Sequence, residues 1–171
     1  MSAPINRLTD PPTDHREPDV DRIFNFVPLT EHFGTAGQPT PEQFALIARH
    51  GYTTVINLAM PDHPRALTNE GELVTREGMT YLHLPVPFDA PQPSHVRRFC
   101  RLLQALRVDD PQQKIFIHCI MNYRVSAFMT HYLRLMEDYD AEAARSPLFG
   151  QWQPNATWQA LLAWDRDDMG L

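Results

Sequence analysis

The stretch Lys114-Ile115-Phe116-Ile117-His118-Cys119-Ile120-Met121-Asn122-Tyr123-Arg124-Val125-Ser126 decides how the chain is read. Lys114 to His118 is a short apolar run of strand character. Behind it Val125, Phe128, Met129, Tyr132 and Met136 recur at helical spacing. The sequence therefore predicts a strand, a tight loop and a helix in direct succession. Backbone N–H groups in such a loop converge on one point, and the helix N-terminus adds partial positive charge. An anion is the natural occupant. The same field favours the thiolate of Cys119, its nucleophilic form, and opposes a charged imidazole at His118. Arg124 can hold two anion oxygens in a bidentate fork that lysine cannot reproduce. Together these groups are the equipment for covalent phosphoryl transfer.

Upstream, Thr40-Pro41-Glu42-Gln43 reads as a helix start, with Pro41 at the first helical position and Gln43 closing a capping box. Phe44, Ile47 and Ala48 give that helix its apolar face, and Gly51 ends it. Thr53–Leu58 is a β-branched run suited to a buried strand, and Ile23–Val27 is expected as an edge strand. A helix over Glu70–Glu77 leads to a short strand at Thr80–Leu84. Val96, Phe99, Cys100 and Leu103 then share one helical face. This alternation predicts an α/β domain with a mainly parallel central sheet flanked by helices. Ligands of such sheets bind at the carboxyl ends of the strands, where His118 and Cys119 fall.

Hydrophobic residues make up 43% of the 171, charged residues 21%, and the formal charge is −6. That balance is ordinary for a globular domain and argues against nucleic acid as a partner. No apolar run approaches the roughly 18–20 residues of a membrane span, and residues 1–22 carry no apolar secretory segment. Cytoplasmic location and no membrane partner are the expectation. Residues 1–22, rich in proline and charge, read as a mobile N-terminal arm before a single domain at 23–171. Cys100 and Cys119 are the only cysteines, a number that fits reduced thiols better than a disulfide framework. Eight histidines show no metal-ligand spacing, so neither metal nor other cofactor is expected. Trp152, Trp158 and Trp164 are expected to pack a last helix onto the domain.

His118-Cys119, Arg124 and Ser126 resemble the signature loop of the dual-specificity and tyrosine phosphatase superfamily. Gly37-Gln38-Pro39-Thr40-Pro41, Val55-Ile56-Asn57-Leu58 and Leu84-Pro85-Val86-Pro87-Phe88-Asp89 are similar to bacterial members of its small phosphatase-like branch. The resemblance runs from about Phe24 to Met136. It implies a cysteine-phosphatase fold, a phosphorylated small molecule or phosphoprotein as substrate, and Cys119 as nucleophile. Arg124 becomes the phosphate clamp and the loop Ile120–Val125 the anion cradle. Ser126 becomes a hydroxyl donor to the thiolate, Asp89 the general acid, and His118 a structural support of the loop.

One departure stands out. The superfamily places five residues between cysteine and arginine; here there are four, Ile120, Met121, Asn122 and Tyr123. Asn122 stands where glycine is usual, and asparagine tolerates left-handed backbone well. The short spacing also resembles the rhodanese loop, so a sulfurtransferase is one alternative and a non-catalytic phosphate-binding module another. Asp62 is the substitute candidate for the acid.

Overall fold

β5 (Lys114–His118) lies at the centre of a five-stranded sheet. The order is β1 (Val27–Pro28), β2 (Phe33–Ala36), β5, β3 (Tyr52–Asn57) and β4 (Thr80–His83). Among the strand pairs of the described residues only β1–β2 is antiparallel. The structure, a computed structural model, describes residues 19–171. Residues 1–18 of the expected arm lie outside them. Val20–Arg22 form a 3-10 turn that buries Val20, so the folded part begins before residue 23.

Side-chain alternation along the central strands sorts the core into two layers. Ile115 and Ile117 of β5 and Ile56 of β3 face one layer; Phe116 and Val55 face the other. The first layer is completed by α3 (Pro93–Asp109), α4 (Tyr123–Met136), α5 (Ala156–Leu162) and α6 (Arg166–Met169). The second is covered by α1 (Gln43–Arg49) and α2 (Glu70–Arg76). Helices on both faces are what a parallel sheet requires. Among the described residues no helix is long and apolar enough to cross a membrane.

Most expected elements fall within one or two residues of their predicted limits. The first strand is a correction: the edge strand lies at Val27–Pro28 and not at Ile23–Val27. Ile23 closes the 3-10 turn and is buried, and Asn25 takes a left-handed φ of 52°, which breaks any extended run there. β2 is an addition to the strands that the sequence predicts. C-terminal to α4, Trp152 and Trp158 are buried as expected. Trp158 sits wholly inside the first layer, and its Nε1–H donates to the Phe88 carbonyl at 3.0 Å. Trp158→Ala should cost about 3–5 kcal/mol by the cavity it leaves. The change reads as a lower urea midpoint at an unchanged slope.

Candidate active site

The carboxyl end of β5 delivers His118 and Cys119 to the upper edge of the sheet, flanked by β2 and β3. Pairing persists one residue past the strand. The Cys119 N–H donates to the Ala36 carbonyl at 3.3 Å, and the Leu58 N–H donates to that of His118 at 2.9 Å. The chain then turns through Ile120, Met121 and Asn122 into α4. Asn122 holds φ at 67°, the left-handed conformation that permits so abrupt a turn. Gly37 lets the end of β2 approach this loop. A Cβ there would lie 2.7 Å from the Ile120 carbonyl oxygen.

Side-chain amides brace the loop from the β1 side. Asn122 Nδ2 donates to the Asn25 carbonyl at 2.9 Å and to Thr35 Oγ1 at 3.0 Å. Asn25 Nδ2 returns a bond to the Met121 carbonyl at 3.0 Å. The carbonyls thus face the protein. The N–H groups of Ile120, Met121, Tyr123, Arg124 and Val125 have no acceptor among the described residues. A nest of free amides at a helix N-terminus is a concavity for an anion.

Cys119 is 1% exposed and Arg124 5%. The shortened spacing places Arg124 in the first turn of α4, from which Nη1 donates to the Val86 carbonyl at 2.8 Å. Its guanidinium carbon lies 5.8 Å from the centre of the Phe88 ring. Arg124 Nε is buried with no partner among the described residues, an unsatisfied donor in a side chain otherwise fixed.

Asp89 is exposed in a bend directly after Phe88. The segment that carries it is held from two sides, by Arg124 at Val86 and by Trp158 at Phe88. Asp62 stands in an exposed turn at the start of a different loop. Ser126 is buried, and its Oγ donates to Ser146 Oγ at 3.2 Å, which also accepts from the Leu148 N–H. The hydroxyl that the family resemblance assigns to the thiolate is thus paired with Ser146, and with its proton turned toward Cys119 the pair is kept by the Ser146 hydroxyl donating to Ser126 Oγ.

Sequence reasoning misses what lies behind His118. Glu70, the first residue of α2, is 1% exposed. Its Oε1 accepts from His118 Nε2 at 2.8 Å and Asn57 Nδ2 at 3.0 Å, and its Oε2 from Gln38 Nε2 at 2.6 Å. Burial pushes the Glu70 carboxyl up, but the facing His118 and the hydrogen bonds from His118, Gln38 and Tyr81 together hold it below the ordinary carboxylate value. Cys100, by contrast, is a packing residue. Burial pushes its thiol up to about 12.

Comparison with known proteins places this arrangement. A family model described as DSP-PTPase phosphatase fused to NAD+ kinase matches residues 27–157. Among solved structures, the chain is similar to a phosphatase-like DUF442 protein from Shewanella putrefaciens CN-32. The identity is 28% and the TM-score 0.72, over 84% of this chain and 91% of that one. P. aeruginosa TpbA shares the fold at 19% identity and TM-score 0.65, over 85% of this chain and 88% of TpbA. A cysteine-to-serine form of TpbA has been solved in complex with pTyr. Kinase associated phosphatase shares the fold at 12% identity and TM-score 0.66, over 85% of this chain and 94% of its own. No curated protein matches.

Proposed function

Because the chain belongs to the family described as DSP-PTPase phosphatase fused to NAD+ kinase, we propose that it is a cysteine-dependent, metal-independent phosphatase acting on a phosphate monoester. The observation that carries this reading is Arg124. A guanidinium fixed at Nη1, with its Nε buried and unsatisfied, fits the requirement for an oxyanion beside the free loop amides.

In this reading the Cys119 thiolate attacks phosphorus, and the S–P bond forms as the bond to the leaving oxygen breaks. Asp89 gives its proton to that oxygen. Water then attacks the phosphocysteine and surrenders a proton to the Asp89 carboxylate, and the S–P electron pair returns to sulfur. The amides of Ile120–Val125 and Arg124 hold the equatorial oxygens through both steps. Ser126 turns its hydroxyl to the Cys119 sulfur as that sulfur becomes the leaving group, while the Ser146 hydroxyl donates to Ser126 Oγ. The substrate is a phosphorylated small molecule or phosphoprotein.

The test is turnover of p-nitrophenyl phosphate by the wild-type protein with and without EDTA, beside transfer of sulfur from thiosulfate to cyanide. Hydrolysis that EDTA leaves unchanged and vanadate inhibits is the expected outcome. Sulfur transfer without hydrolysis replaces the proposal with a sulfurtransferase. Arg124→Lys should lower kcat/KM by roughly 10²–10³-fold, the scale of one lost oxyanion-stabilising group. Vanadate inhibition should weaken in parallel, because the lysine ammonium cannot keep the Val86 carbonyl and also present a fork.

A further inference from the structure

The buried carboxylate behind the nucleophile loop has a purpose beyond packing. His118 is fully buried, and each of its ring nitrogens faces an oxygen. Nε2 lies 2.8 Å from Glu70 Oε1, and Nδ1 lies 3.3 Å from the Cys119 carbonyl. A carbonyl only accepts, so the contact at Nδ1 is a hydrogen bond only when Nδ1 carries a proton. Both Glu70 oxygens already accept from side-chain amides, Oε1 from Asn57 and Oε2 from Gln38, which is the environment of an ionised carboxylate. The contact at Nε2 therefore also calls for a proton on the imidazole. Asn57 Nδ2 reaches Tyr81 Oη at 3.1 Å as well, so β3 and β4 both contribute to the cage.

We propose that Glu70 is a positioning residue for Cys119: it holds His118 as an imidazolium whose Nδ1–H fixes the Cys119 carbonyl and whose positive charge lies behind the nucleophile. The consequence for the anion site rests on the phosphatase reading above, whereas the state of His118 stands apart from it. The groups facing the pair are Gln38 after β2, Asn57 on β3, Tyr81 on β4 and the Phe116 ring, 6.3 Å away on β5. Glu70 is the one carboxylate among them. From sequence alone, the helix-terminus field is expected to keep His118 neutral. Glu70, which no sequence pattern reveals, lies 2.8 Å from Nε2 of the same ring.

The experiment is long-range proton–nitrogen NMR of the His118 ring at pH 7, in wild type and Glu70→Gln, with steady-state hydrolysis of p-nitrophenyl phosphate alongside. In wild type both ring nitrogens should resonate as protonated. In Glu70→Gln the ring should become a neutral tautomer, and kcat should fall about tenfold or more, equivalent to about 1.4 kcal/mol. KM should hold, since Arg124 and the loop amides remain. A neutral imidazole in wild type overturns the proposal, and so does an imidazolium that persists in a folded Glu70→Gln. If that variant does not fold, the wild-type spectrum decides alone. A wild-type protein that hydrolyses no phosphate would defeat the phosphatase reading, while the His118 spectrum would still decide whether the ion pair exists.

Discussion

Replacing Cys119 by serine is expected to lower kcat for p-nitrophenyl phosphate by roughly 10⁴–10⁶-fold, the scale of losing a covalent nucleophile. A serine hydroxyl is far less acidic than a thiol and stays protonated, so no competent nucleophile remains beneath the phosphoryl group. Oxyanion binding should survive, because the amides of Ile120, Met121, Tyr123, Arg124 and Val125 and the Arg124 guanidinium are untouched. Titration calorimetry with phosphate reads that half of the expectation. Cys100 cannot take over, being buried in α3 with a thiol pushed up to about 12. A serine variant that turns over at the wild-type rate would rule out nucleophilic catalysis by Cys119.

Asp89→Asn should separate substrates by their leaving groups. A general acid contributes about 10²–10⁴-fold where the departing oxygen needs a proton. Alkyl phosphate hydrolysis should slow by that factor, and p-nitrophenyl phosphate hydrolysis much less, since p-nitrophenolate leaves readily as the anion. The structure supplies a reason to favour Asp89 over Asp62. The segment ending at Asp89 is tied to Arg124, through the hydrogen bond to the Val86 carbonyl and through the Phe88 ring, whose centre lies 5.8 Å from the guanidinium carbon. Equal, small losses on both substrates would make Asp89 a turn residue and move the search to Asp62.

The central unit is legible in the sequence because its signals are local. A short strand with three apolar residues (Ile115, Phe116 and Ile117), a loop and a helical stripe occupy Lys114–Met136 without interruption, and β5 and α4 fall where that pattern places them. β2 is not legible, for a physical reason. Phe33-Gly34-Thr35-Ala36 lies between two strands with all four residues buried, so it shows no alternation of apolar and polar. Its glycine, a weak strand former, lies against the Tyr52 hydroxyl, and a Cβ there would have to displace that side chain. The Glu70 cage is hidden on different grounds. Gln38, Asn57, Glu70, Tyr81 and His118 belong to five separate segments. The strand order β2-β5-β3-β4 and the placement of α2 bring them together, and no spacing rule encodes a strand order.

The proposed site divides its labour between residues assigned to the chemistry and residues that keep them in place. The family match begins at residue 27 and ends at residue 157. A protein trimmed to those limits would keep Cys119, Arg124, Asp89 and every loop amide. It would lose Asn25, which ties the Met121 and Asn122 turn to the sheet edge, and Trp158, which ties the Asp89 segment to the first core layer. Such a fragment would retain a full set of tools and loosen the grip on two of them. The smallest unit that keeps both ties is therefore larger than the recognisable one, and runs at least from Asn25 through Trp158.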